Sequence, residues 1–139
     1  MHIAPARLST VTLDWGTIKW LVTPATIADA SLTFGEVIVN TSKGHDPHAH
    51  PNADEVIYVI SGEGRQTVGD EAFDLKPGDA AWIPRDVVHS TYNTGWQPLR
   101  LLVTYTPGGE EAGLEALPDF GTLAPGEVAT WRLADGGSA

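Results

Sequence analysis

The chain has 139 residues, of which 42% are hydrophobic and 19% are charged. This length and this composition are typical of a globular protein with one real core, not of a disordered chain. The 18 acidic residues outnumber the 8 basic ones, the formal net charge is −10, and the basic residues are scattered along the sequence. No basic patch is therefore expected for nucleic acid or for an anionic membrane surface. The absence of cysteine excludes disulfides and thiolate metal ligands.

The distribution of apolar residues argues against membrane insertion. No apolar stretch approaches the roughly 20 residues that a transmembrane helix needs. Residues 1–7 lack the apolar centre of a secretory signal peptide. We therefore expect a soluble cytoplasmic protein that forms a single domain over residues 1–139.

Short strand patterns separated by turn residues follow one another along most of the chain. In chain order, strands are predicted within residues 8–22, 31–40, 56–60, 65–68, 80–83, 87–92 and 99–106. Turn residues 61–64 and 69–70 predict a hairpin on each side of the strand 65–68, so a further strand should follow residue 70. Residues 110–117 suggest a helical turn that Pro118 ends, and the tail 135–139 is expected to fray. Many short strands with almost no helical periodicity predict an all-β fold, an antiparallel sandwich or barrel.

The most informative motif lies in residues 48–55. His48 and His50 are two residues apart, and because side chains on a strand alternate between its faces, both imidazoles would point the same way. The turn-forming residues 51–54 would then bring Glu55 beside them, and His89 further along could join the group. Imidazole suits zinc, copper, iron and nickel, whereas carboxylate also suits manganese, so this set predicts a metal site without naming the metal.

The spacing of these residues resembles that of the cupin superfamily. The first cupin motif is matched by His48, His50, Glu55 and Gly62, and the second by Gly78, Pro84, His89 and Asn93. The resemblance implies a jelly-roll β-barrel over about residues 8–106, with a C-terminal extension over 107–139. It also implies that His48, His50, Glu55 and His89 bind one divalent transition metal ion, commonly manganese, iron, nickel, zinc or copper.

Two positions depart from the cupin pattern. Ser42 and Asp86 stand where the two motifs usually have Gly. Both residues lie at predicted turns, where Ser and Asp are tolerated. The departures therefore concern the geometry of the loops more than the set of ligands.

The predicted ligand set has consequences for chemistry. An octahedral ion held by three imidazoles and one carboxylate keeps two positions open. A small oxygen-rich substrate, such as an α-hydroxy acid, a diketone, an enediol or a sugar, could chelate there, and dioxygen could take one position on iron. We therefore expect a metal-dependent cupin enzyme, of a dioxygenase type or of a non-redox isomerase or decarboxylase type. The alternative is a non-catalytic cupin that binds or senses a ligand, although four intact ligands favour the enzyme.

No residue beyond the four ligands receives a catalytic role from the sequence. His45 could line the mouth of the site as a proton carrier or lie exposed in a loop. Six further side chains lie on strands that could face the cavity, but the sequence does not fix their register: Arg65, Gln66, Trp82, Tyr92, Arg100 and Tyr105. His2 is expected to be a free terminal residue, and most of the five tryptophans to be packing groups.

The apolar run 56–60 predicts a partner surface. If Ile57 and Val59 face the interior with Glu55, then the opposite face, which carries Val56, Tyr58 and Ile60, also needs cover. Either the N-terminal strands or a second subunit would supply it. The second possibility predicts a homodimer.

Overall fold

Ten β-strands form the framework of the computed structural model, which describes residues 1–128. The strands are β1 (Thr10–Leu13), β2 (Gly16–Val22), β3 (Thr33–Val39), β4 (Asp54–Ser61), β5 (Gly64–Val68), β6 (Glu71–Leu75), β7 (Ala80–Ile83), β8 (His89–Asn93), β9 (Leu99–Thr106) and β10 (Gly121–Leu123). Two short 3₁₀ helices accompany them, Pro5–Arg7 and Glu110–Ala116. The predicted frayed tail lies outside the described residues.

The strands are arranged in two antiparallel sheets. The large sheet has the order β10-β1-β2-β3-β9-β4-β7, and the small sheet has the order β6-β5-β8. Alternate residues of β3 and β9 are buried, which is the pattern of strands with one face on a core. Side chains from both sheets share that core, since Leu75 of the small sheet belongs to the same buried cluster as Val39 and Leu101 of the large one. The predicted all-β class is confirmed.

The structure differs from the predicted elements in three places. The strand expected over 87–92 begins only at His89, because the turn before it continues to Val87, whose N–H donates to Pro84 O at 3.2 Å. His48 and His50 lie in no regular strand, and His48 forms a single bridge to His89. The short strand β10, which pairs with β1, was not predicted. Three residues give too little periodicity to be recognised in a sequence.

Two turns next to the site adopt a left-handed backbone conformation. Ser42 has a φ of 63° and Asp86 has a φ of 61°. These are the two positions where glycine was expected, and a side chain is strained in this region. The N–H of Asp86 donates to His50 O at 2.9 Å, so the strained turn holds the backbone of a predicted ligand.

The outer face of the large sheet remains partly uncovered. β1 and β2 continue this sheet beside β3, so they do not lie over β4. Val56, Tyr58 and Trp82 are accordingly 38%, 43% and 59% exposed. Within residues 1–128, no helix has the length and apolar character needed to span a membrane.

Candidate metal centre

The loop that carries His48 and His50 runs alongside β8. His48 and His89 exchange two backbone hydrogen bonds, of 3.0 Å from His48 N to His89 O and of 2.9 Å in the other direction. Directly opposed residues of an antiparallel pair place their side chains on the same side. The two imidazoles are therefore neighbours, with ring centroids 4.5 Å apart. The bridge thus brings together two predicted ligands that are far apart in the sequence.

Four predicted side chains converge at one point between the sheets. His48 Nε2 lies 3.2 Å from His50 Nε2. One oxygen of Glu55, which lies near the start of β4, is 3.2 Å from His50 Nε2 and 3.0 Å from His89 Nε2. Glu55 and His89 are buried, and the other two histidines are half-buried. The three histidines have the spacing of a group that could hold a metal ion, with ligand atoms within 4.8 Å of one another.

The contacts of the outward ring nitrogens determine the tautomer of each imidazole, and so the state of the nitrogen that faces the centre of the site. His48 Nδ1 lies 3.1 Å from Asp46 O, and His89 Nδ1 lies 2.9 Å from Val87 O. A carbonyl oxygen only accepts, so in the neutral form of each ring Nδ1 carries the proton and Nε2 presents a lone pair. His50 Nδ1 faces a carboxylate instead, at 3.6 Å from Glu110 Oε2. Outward partners of this kind are what orient metal-binding histidines in proteins.

Two of the inward atoms have no hydrogen-bond partner, and this is the test of whether a cation fits. Glu55 Oε2 and His89 Nε2 are buried and have no hydrogen-bond partner among residues 1–128. They lie only 3.0 Å apart, yet the contact does not have the geometry of a hydrogen bond. Buried lone pairs without a donor are costly, and a divalent cation would satisfy all of them at once. The donor set, three imidazole nitrogens and a carboxylate, fits a first-row divalent metal.

The protonation states also fit a cation. Burial, with a contribution from His45 and His89, lowers the pKa of His48 to about 4, so this imidazole is neutral near neutral pH. Burial alone would raise the pKa of Glu55, but its contacts with His50 and His89 lower it to about 2. The site therefore offers an ionised carboxylate and at least one neutral imidazole. These are the forms that bind metals.

A small cavity of about 50 Å³ is lined by two of these four side chains, His48 and Glu55. Its wall is mostly aliphatic, formed by Ile18, Val37, Val39, Ile57, Leu101 and Val103. Tyr105 closes one side and is buried, with its ring 4.7 Å from that of His50 and 5.6 Å from that of Trp20. Burial, followed by the charges of Glu55, Glu111 and Glu110, raises the pKa of Tyr105 well above its usual value. Its hydroxyl therefore remains a proton donor.

Gly35 makes room for the aromatic wall of the cavity. It lies directly opposite Trp20 on the neighbouring strand. A Cβ at this position would come within 2.5 Å of Trp20 Cε3 and within 2.9 Å of Lys19 O. The absence of a side chain thus lets the indole lie against the sheet and contact Tyr105.

The remaining sequence candidates divide between the cavity and the surface. His45 is half-buried and lines the cavity, with its ring 4.5 Å from that of His48, so it is not an exposed loop residue. Gln66 is fully buried but is engaged by Thr91, whose hydroxyl donates to Gln66 Oε1 at 2.6 Å. Four of the six strand candidates are exposed and face away from the cavity: Arg65, Trp82, Tyr92 and Arg100. Of the tryptophans, Trp15 and Trp20 line the cavity, Trp82 and Trp96 are exposed, and Trp131 lies outside the described residues. His2 is exposed, as expected.

No motif in the sequence predicted that the 3₁₀ helix Glu110–Ala116 contributes to the site. Glu110 contacts His50 and also accepts a hydrogen bond from Asn52 N at 3.1 Å. Glu111 anchors the same helix, since it accepts from Thr33 Oγ1 at 2.6 Å. Leu114 extends into the wall of the cavity. Only the acidic pair after the last long strand could have signalled this role, and such pairs are common on surfaces.

Comparisons with known proteins agree with this architecture. The chain is 30% identical over 102 residues to the uncharacterized protein MJ1618 of Methanocaldococcus jannaschii, covering 73% of this chain and 82% of that protein. It is 31% identical over 106 residues to protein SchB of Streptomyces halstedii, covering 76% and 72% of the two chains. The solved structure of a predicted oxalate decarboxylase from Thermotoga maritima superposes with a TM-score of 0.69 at 18% identity, over 77% of this chain and 99% of that one.

A family profile described as "Cupin domain" matches residues 35–105 of the chain. This region runs from β3 to β9 and contains His48, His50, Glu55 and His89. The resemblance noted from the sequence is thereby confirmed, and the chain belongs to the cupin family.

Proposed function

We propose that this protein is a metal-dependent cupin enzyme that acts on a small, oxygen-rich organic substrate. The observation that carries the proposal is the pair of buried, inward-facing atoms Glu55 Oε2 and His89 Nε2, which have no hydrogen-bond partner within the described residues. Such a pair is costly in a protein that never binds a cation. His48, His50, Glu55 and His89 would hold one divalent transition metal ion.

The metal, when bound, would act as a Lewis acid that polarises a carbonyl or stabilises an enolate. The protein's own residues would supply the rest. Tyr105 and His45 line the cavity and offer polar atoms to the substrate, while the aliphatic wall excludes water. Manganese belongs in the first panel of metals, because the related fold of the Bacillus subtilis oxalate decarboxylase, at 24% identity and a TM-score of 0.65, is described with Mn(II) centers.

Dependence on dioxygen distinguishes the dioxygenase type from the isomerase or decarboxylase type. Protein loaded with iron or with manganese would be incubated with diketones and keto acids, in air and under argon, while oxygen consumption and product formation are followed. Turnover that requires oxygen and iron supports the dioxygenase type, and turnover under argon with manganese supports the isomerase or decarboxylase type. His89→Ala is the control, because any genuine activity must disappear with this variant.

The alternative function, a non-catalytic ligand-binding module, makes a different prediction. It requires metal and ligand binding without turnover of any compound that binds. A ligand that binds the metal-loaded protein and is recovered unchanged, with iron and with manganese, in air and under argon, would favour this alternative.

We further propose that the outer face of the large sheet pairs with a second copy of the chain. Val56 and Trp82 are directly opposed on β4 and β7, and Tyr58 lies next to them opposite Leu102. On the same sheet, the charges of Arg100 and Glu36 neutralise each other, because Arg100 donates to both oxygens of Glu36 at 2.7 and 3.0 Å. In a chain of net charge −10, an apolar face is where two copies repel each other less than on the acidic surface.

Light scattering after size exclusion tests the pairing. The wild-type protein should have the mass of a dimer, and Tyr58→Glu should shift it to the monomer. Trp96→Glu is the matched control, because Trp96 is 98% exposed and lies outside the patch. A wild-type monomer at every concentration would overturn the proposal.

A further inference from the structure

We propose that the cavity selects a bidentate oxygen ligand that carries at most one negative charge and a compact apolar group. The inference rests on the proposed metal-dependent function and names the class of ligand for that same site. It excludes dicarboxylates and unmodified sugars as preferred ligands. The argument has three parts, which concern the charge at the site, the character of the wall and the size of the space.

With a metal ion bound, the site would have only one net positive charge before a ligand arrives. A divalent ion with ionised Glu55 and neutral imidazoles has a net charge of about one positive unit. Within residues 1–128, no lysine or arginine lines the cavity. The charged groups that act on Tyr105 are all carboxylates, those of Glu55, Glu111 and Glu110. A ligand with one negative charge neutralises the centre, whereas a doubly charged ligand leaves an uncompensated charge beside these carboxylates.

The wall of the cavity suits an apolar group rather than a row of hydroxyls. Nine of the residues that line the cavity are aliphatic or tryptophan, including Ile18, Val37 and Leu101. Thr91 already donates its hydroxyl proton to Gln66. Tyr105 and His45 are left as the main polar partners away from the predicted ligands. A sugar would lose hydrogen bonds to water that this wall does not replace.

The size of the cavity limits the part of the ligand that can enter. Its volume of about 50 Å³ is well below that of pockets for drug-sized ligands, which begin at roughly 300 Å³. A chelating head of two oxygens with a methyl-sized group is therefore the scale that fits. Leu114 of the 3₁₀ helix Glu110–Ala116 forms part of the wall, so a longer substituent on that side would contact this helix.

Pyruvate and oxalate are a matched pair of probes for this inference. Both are planar when chelated, have six non-hydrogen atoms and offer two adjacent oxygens, but pyruvate has one charge and a methyl group in place of one oxygen of the second carboxylate of oxalate. Each would be titrated into protein loaded with Mn²⁺, and binding would be followed through the relaxation of water protons near the ion. The same titrations with free Mn²⁺ give the intrinsic preference of the ion for oxalate.

The protein should reduce the preference for oxalate over pyruvate by at least about tenfold relative to the free ion, as expected for one unfavourable charge interaction. Leu114→Lys, which places a cation at the cavity, should restore part of this preference, and Leu114→Gln, which adds polarity without charge, should not. An unchanged or increased preference for oxalate would overturn the inference, as would equal effects of the two variants. If neither Mn²⁺ nor iron, nickel, zinc or copper binds, this result would instead overturn the proposed function and the inference with it.

Discussion

Replacing Glu110 with alanine should weaken metal binding although Glu110 is not a predicted ligand. Its Oε2 lies 3.6 Å from His50 Nδ1, and its side chain is only 14% exposed. A carboxylate beside the outward nitrogen of a metal-binding imidazole orients the ring and raises its basicity, and loss of such a partner typically costs about 10- to 100-fold in metal affinity. We therefore expect metal affinity to fall by about 10- to 100-fold, which is about 1.4 to 2.7 kcal/mol.

The assay is competition between the protein and a chelator of known affinity, with Co²⁺ as the metal so that the visible spectrum also reports ligand geometry. Glu110→Gln keeps an oxygen that can accept from His50 and should recover part of the affinity. Glu115→Ala, an exposed change on the same 3₁₀ helix, should leave affinity and spectrum unchanged. Wild-type affinity in Glu110→Ala would refute the view that this carboxylate orients His50.

Three further predictions concern the fold and its dependence on pH. Gly35→Ala should lower the free energy of unfolding by about 1–3 kcal/mol, because the new Cβ would lie 2.5 Å from Trp20; an unchanged urea midpoint would contradict the packing argument. Ser42→Gly should raise the free energy of unfolding by up to about 1 kcal/mol, because it relieves a residue at a φ of 63°, whereas Ser42→Ala should give no gain; equal stability of the two variants would contradict the strain. The folded-state pKa of His48 is lowered from 6.5 to about 4, so the unfolded chain binds this proton first as the pH falls. The metal-free protein should therefore lose up to about 3 kcal/mol of stability between pH 6.5 and pH 4, and His48→Gln should flatten this part of the profile; an identical profile in the variant would rule out His48 as the cause.

The convergence of the four ligands could be predicted because it depends on local spacing and on a recognisable family pattern. The two-residue spacing of His48 and His50 puts both rings on one side even though this segment makes only a single bridge. The position of Glu55 follows from the turn before it, which ends as β4 begins. His89 was placed by the family resemblance, and the structure shows the backbone pairing with His48 that brings it there.

The rest of the site depends on contacts that no local pattern encodes. Tyr105 and Tyr92 look alike in the sequence, yet only Tyr105 lines the cavity, because β9 is paired so that it lies directly opposite Glu55. A shift of one residue in this register would have turned its ring to the other face. Glu110 contacts His50 although the two residues are 60 positions apart in the sequence, because the segment beyond the last long strand returns to the site. Such tertiary contacts become visible only in the folded chain.

The metal content of the protein tests the central claim most directly. Protein purified without chelators and without an affinity tag would be analysed by inductively coupled plasma mass spectrometry against protein concentration, together with His50→Ala and His89→Ala. We predict close to one equivalent of a divalent transition metal in the wild type and loss of most of it in both variants, with the barrel still folded. Wild-type protein that holds no metal, even after reconstitution with manganese, iron, nickel, zinc and copper, would contradict the account.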